Sequence, residues 1–185
     1  MVTSLLVKMT NPSNAAILRY MVREISAGGV VIRQRTDDWW MAAIELPYES
    51  ERSAATPSPG PRKRSKPVLA LPKGLVDPGE KPLKTALREV FEETGIIAEV
   101  ITKLADIKYV YTRTWGDGGR VFKIVSFYLM RYSSGKIDDI DPAMRIEVAR
   151  ARWVRLEDAP SLLAYNGEKQ MAKKALEYVN ANPEL

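Results

Sequence analysis

Gly74-Leu75-Val76-Asp77-Pro78-Gly79-Glu80-Lys81-Pro82-Leu83-Lys84-Thr85-Ala86-Leu87-Arg88-Glu89-Val90-Phe91-Glu92-Glu93-Thr94-Gly95-Ile96 is the stretch from which the rest of the chain is read. From Pro82 onward the apolar residues Leu83, Ala86, Leu87 and Val90 recur at helical spacing. Pro82 suits the first helical position, where a missing N–H costs nothing, and Gly95 supplies the stop. At roughly 100° per residue, Glu89, Glu92 and Glu93 fall on one face, opposite the apolar residues. Like charges three and four apart destabilise a bare helix. A hard divalent cation such as Mg²⁺, which takes oxygen ligands in octahedral geometry, would relieve that repulsion. The alternative is a solvated charged face, with Lys84 and Arg88 pairing with glutamates at helical spacing.

The spacing runs Gly74, five residues, Glu80, seven residues, Arg88-Glu89, an aliphatic, any residue, Glu92-Glu93, any residue, Gly95, an aliphatic. Seven fixed letters of ordinary usage would meet this way by chance about once in a million chains of such length. The pattern resembles the Nudix box at every defining position. The flanks, Ser26-Ala27-Gly28-Gly29-Val30-Val31 and Ala151-Arg152-Trp153-Val154, are similar to the family as well. The resemblance implies an α/β/α sandwich around a mixed β-sheet, and metal-assisted hydrolysis of a phosphoanhydride by water attack at phosphorus. It also implies Mg²⁺ as cofactor, with Mn²⁺ as a substitute, and the backbone carbonyl of Gly74 as a further ligand.

The chain contains no histidine and no cysteine. Imidazole bases, thiolate nucleophiles, ordinary zinc sites and disulfides are therefore excluded, leaving carboxylates and a metal. Its 185 residues, 45% of them hydrophobic, fit one domain with a sizeable core. The amino terminus lacks a charged-then-apolar leader pattern and no apolar run is long enough to span a bilayer, so a cytoplasmic protein without membrane contact is expected. A net charge of +5 favours anionic partners.

Strands are expected over residues 25–34, 39–46, 68–71, 121–132 and 150–156, with one or two more over 98–111, and helices over 82–94 and 168–180. Turns are expected at 36–38, at Trp115-Gly116-Asp117-Gly118-Gly119 and at Ser133-Ser134-Gly135. Residues 47–67, rich in Ser, Pro and charge and carrying Arg62-Lys63-Arg64-Ser65-Lys66, read as a flexible basic insertion. Residues 1–22 read as an amino-terminal extension and 23–182 as a single domain. The tryptophans at 39, 40 and 153 are assigned to packing, and Trp115 to the cap of a pocket.

With the resemblance in hand, Glu89 and Glu93 are the preferred metal ligands, and Glu92 is a third ligand or the base. Glu147, before Trp153, is the candidate for a base on a later loop; Asp138, Asp139 and Asp141 are weaker ones. Arg88 reads as orienting the glutamates through charge-assisted hydrogen bonds, and Glu80 as a metal ligand through water or, in preference, a brace for the loop. The substrate set is Lys73, Tyr109, Tyr111, Arg113 and Lys123, with Arg120 and Arg131 as further cations. Leu71-Pro72-Lys73-Gly74 resembles the approach to the box in dinucleoside polyphosphate and diphosphoinositol polyphosphate hydrolases. Tyr109 and Tyr111, two apart on a strand, share a face that could stack a base. Diadenosine polyphosphates are the expected substrate, with diphosphoinositol polyphosphates and RNA 5′ ends as competitors. A binding module without turnover and a homodimer stay open.

Overall fold

The computed structural model describes residues 22–47, 68–113 and 118–185. The expectations for the extension, for nearly all of the insertion and for Trp115 lie outside the described residues. The elements in order are β1 (Val22–Arg35), β2 (Asp38–Leu46), β3 (Val68–Ala70), β4 (Lys73–Leu75), α1 (Pro82–Thr94), β5 (Ile96–Thr112), β6 (Arg120–Gly135), a 3-10 helix (Pro142–Ile146), β7 (Arg150–Arg155), α2 (Ala159–Leu162) and α3 (Asn166–Ala181).

The strands form one seven-stranded mixed sheet in the order β3-β2-β1-β6-β5, with β4 paired to β1 and β7 to β2. β1 and β6 run parallel, and the other pairings are antiparallel. β1 is the axis of the molecule. One of its edges is given wholly to β6, while the other is divided between β4 at Ser26–Gly28 and β2 at Ile32–Arg35.

Alternate residues of these strands supply two cores. On one face Ala27, Val31, Ala42 and Met130 pack against Ala86 and Val90 of α1. On the other, Val30, Ile32, Met41, Phe127 and Leu129 pack against Met171, Ala172, Ala175 and Val179 of α3. The result is the expected sandwich of helix, sheet and helix. Gly29 makes the α1 contact possible, because a Cβ there would lie 2.6 Å from Val90 Cγ2 and 3.0 Å from Met130 Sδ.

α1 has the expected bounds. Gly95 sits in the left-handed region at φ 76° and returns its N–H to Phe91 O at 2.8 Å. The face it buries differs from the expected one, however. Ala86 and Val90 are buried, but Leu83 is 39% exposed, whereas Glu89 and Glu93 are only 8% and 5% exposed. Three other elements were not anticipated: β4, the 3-10 helix and α2. β5 is one long strand interrupted by register shifts, and β6 continues through Ser133 to Gly135, where a turn was expected.

Candidate active site

Two short segments meet the carboxylate face of α1. The first is β4. The backbone N–H of Lys73 donates to Glu93 Oε2 at 2.7 Å. Gly74 lies so close to Glu89 that a Cβ on it would collide with all three atoms of the carboxylate group. A glycine is needed there for space, not for its backbone angles.

The second is the loop before β7, which carries Glu147. Asp141 caps its 3-10 helix by accepting from Ala143 N at 2.7 Å. Asp138 accepts from Arg145 Nη1 and from Ala151 N, each at 2.7 Å. Val148 is fully buried, and Ala149 N donates to Glu45 O at 2.9 Å. These contacts pin the chain on both sides of Glu147, whose charge acts on both Glu89 and Glu93.

Arg88 organises the acidic residues. Its Nη1 donates to Glu89 Oε1 at 2.8 Å and to Glu92 Oε2 at 2.9 Å, and its Nη2 to Glu80 Oε2 at 3.0 Å and to Leu75 O at 3.3 Å. Glu80 also accepts from Thr85 Oγ1 at 2.6 Å. Hydrogen bonding to Arg88 and Thr85 holds the Glu80 carboxyl at about 2, far below the usual range. Glu80 thus ties the loop before α1 to its first two turns.

Burial has the opposite effect on the two inner glutamates. It pushes Glu93 up to about 8, and it raises Glu89 as well, against the pull of Arg88. Glu147 adds like charge to both. Glu92, half-exposed, turns Oε2 to Arg88, and among the described residues no three acidic side chains form a ready metal cluster. The pair brought together is therefore Glu89, pressed against Gly74, and Glu93, held by Lys73 N, with the charge of Glu147 acting on both. Buried carboxylates that repel one another, with a glycine clearing space beside them, fit a hard dication bound by oxygen.

Of the other expected site residues, Lys73 has an acidic partner that the sequence did not suggest. Its Nζ stands 3.2 Å from Glu168 Oε1, and Glu168 Oε2 accepts from Leu71 N at 2.9 Å. Burial works against the Lys73 ammonium, but the Glu168 and Glu93 carboxylates outweigh it and hold the amine charged. Glu168 is 3% exposed on the first turn of α3. Nothing in the sequence marked it, since an acidic residue at a helix start is ordinary.

Tyr109 and Tyr111 share a face, with ring centroids 6.2 Å apart. Tyr109 feels the charges of Lys73 and Glu168, and burial pushes its phenol up. The Tyr111 hydroxyl donates to Glu24 at 2.9 Å, and Arg113 and Lys123 lie on the same carboxylate. Glu24, like Glu168, was missed. Trp153 packs against Tyr132 edge to face and lies 3.9 Å beneath the Arg33 guanidinium.

A family profile described as NUDIX domain matches residues 50–175. The chain is 36% identical over 170 residues to the protein named MutT4 of Mycobacterium tuberculosis, covering 92% of this chain and 61% of that one. It is 31% identical over 118 residues to the asymmetrical bis(5'-nucleosyl)-tetraphosphatase of Mus musculus, covering 60% of this chain and 72% of that one. In fold it is similar to the crystal structure of a Caenorhabditis elegans Ap4A hydrolase binary complex, with a TM-score of 0.59 and 21% identity over 85% of this chain and 98% of that one. With the box, the sandwich and the profile in agreement, the chain belongs to the Nudix family.

Proposed function

We propose that this protein is a Mg²⁺-dependent pyrophosphohydrolase of nucleoside or dinucleoside polyphosphates, with diadenosine polyphosphates as the preferred class. One observation carries the reading: two buried carboxylates meet β4, Glu89 against Gly74 and Glu93 on Lys73 N, and both feel the charge of Glu147. The similarity to a bis(5'-nucleosyl)-tetraphosphatase supports the substrate class.

Glu89 and Glu93 would hold the cation, with Glu92 and the Gly74 carbonyl available to complete its shell. When bound, the cation would polarise the anhydride and lower the pKa of the attacking water. Glu147 takes the proton of that water as its oxygen bonds to phosphorus and the bridging P–O bond breaks. Arg88 holds Glu89 and Glu92 in place throughout, through the contacts described above. Lys73 spends one of its three donors on Glu168 and offers the others to a phosphate. Tyr109, 42% exposed, presents a ring face on which a base can stack.

The test is product analysis by ion-exchange chromatography with Mg²⁺ over diadenosine polyphosphates, nucleoside triphosphates, ADP-ribose, a diphosphoinositol polyphosphate and 5′-triphosphorylated RNA, beside a Glu93→Gln control. Metal-dependent cleavage of the dinucleotides, lost in the control, is expected. No cleavage of any compound, with metal binding intact, would point to a binding module instead.

A further inference from the structure

Three neighbouring strands place Glu24 of β1, Lys123 of β6 and Tyr109 of β5 in one row of the sheet. Directly opposed residues project to the same face, so the row continues the surface formed by Tyr109 and Tyr111. Both oxygens of Glu24 are engaged there. Oε2 accepts from the Tyr111 hydroxyl at 2.9 Å and lies 3.7 Å from Lys123 Nζ, and Oε1 accepts from Arg113 Nη2 at 3.1 Å. The Glu24 side chain is only 18% exposed.

A phenol, a guanidinium and an ammonium gathered around one carboxylate are the kind of donor set that binds phosphate oxygens. In this protein the carboxylate already engages that set. We propose that Glu24 is a specificity-determining residue, an internal counter-ion seated where a substrate phosphate would otherwise bind, which selects a neutral, hydroxyl-bearing nucleoside there over a phosphorylated group. This rests on the reading of the tyrosine and lysine face as the substrate face. A phosphate entering the corner must displace the carboxylate and leave it beside a like charge. Sugar hydroxyls, by contrast, can donate to an ionised carboxylate, which only accepts.

Glu24 is four residues along β1 from Gly28, the strand partner of Lys73, a separation of about 13 Å at strand rise. Its influence therefore falls on recognition of the outer part of the substrate and not on the bond being cleaved.

The experiment measures binding of inositol hexakisphosphate, a fully phosphorylated ring without a nucleoside, by calorimetry to the full chain and to Glu24→Gln. The variant is expected to bind about tenfold more tightly, with the gain shrinking as salt is raised. Glu24→Asp, which keeps the charge, should stay within about twofold of the parent, and Glu24→Thr replaces the glutamine variant if that one fails to fold. In turnover, Glu24→Gln should raise KM for diadenosine tetraphosphate and leave kcat unchanged. Equal affinity for inositol hexakisphosphate in a folded neutral variant would overturn the proposal and make Glu24 a strand brace. A separate outcome, in which Lys73→Met and Tyr109→Ala alter neither dinucleotide turnover nor polyanion binding, would remove the reading of this face as the substrate face.

Discussion

The metal-free protein should lose stability as pH rises through neutrality, and Glu93 should be the cause. Its carboxyl is held at about 8 in the folded state against an ordinary value of 4.5. Between those values the unfolded chain has lost this proton while the folded chain keeps it. Stability then falls with rising pH, by about 1.4 kcal/mol per pH unit for one proton. From pH 5.5 to 7.5 the loss is about 2–3 kcal/mol, or about 5–10 °C in Tm for a domain of this size. Glu89 and Glu168, also raised by burial, add in the same direction. The carboxylates with lowered pKa, Glu24, Glu80, Asp106 and Asp138, titrate below this window in both states. The chain has no histidine, so the usual source of a slope in this range is missing. The assay is thermal unfolding in EDTA across pH 5.5–7.5, for the parent and for Glu93→Gln, in which the amide oxygen can still accept from Lys73 N. The variant should have a clearly shallower slope, the remainder coming from Glu89 and Glu168, and excess Mg²⁺ should reduce the slope of the parent. A flat metal-free parent, or an equal slope in the variant, would refute the reasoning.

Gly74→Ala drives a methyl into the Glu89 carboxylate, so Mg²⁺ affinity should fall at least tenfold by calorimetry, while overpacking costs about 1–3 kcal/mol in unfolding. Gly29→Ala crowds Val90 and Met130 at the base of α1 and should lower Tm by about 2–10 °C without a change in KM, as read by calorimetry and steady-state kinetics. Glu147→Gln should lower kcat by about 10²–10⁴ if it is the base, with Mg²⁺ affinity near that of the parent.

What could be read from the sequence was what local rules enforce. α1 has the expected ends because Pro82 and Gly95 each permit only one kind of position. The long strands were legible as apolar and β-branched runs between turn residues, since a sheet covered on both faces buries consecutive residues. β4 left no such mark, since three residues reading Lys-Gly-Leu carry no periodicity. The buried face of α1 was misjudged for a related reason. Hydropathy turned Leu83 inward and the glutamates outward, but the partner of Glu93 is a backbone N–H and that of Glu89 a bare glycine, neither of which has a hydrophobic signature. The pairing of Lys73 with Glu168 was not legible, because Glu168 lies on the last helix and nothing local links the two. Glu24 escaped notice as a polar residue on an alternating strand, although three expected substrate residues converge on it.

These misses share a cause, which is that the site is assembled by β4. Through its N–H, Lys73 holds Glu93 of α1, and through its side chain it holds Glu168 of α3, which also caps Leu71 N. One residue therefore joins the helices of both layers at the edge of the sheet. Burial and the like charges of Glu89 and Glu147 keep a proton on Glu93, so the α1 side holds a carboxyl that ionises only at a cost until a cation arrives. On the α3 side burial raises the Glu168 carboxyl as well, but that carboxylate has a backbone donor and an ammonium as direct partners. The well-paired half anchors β4 in place. The strained half is thereby held open in the geometry that a cation can bind, instead of relaxing by moving the strand away. Glu168 thus steadies β4 from the far side of the sheet, and the sandwich itself, with a helix fixed on each face, is what keeps Glu89 and Glu93 together at that strand.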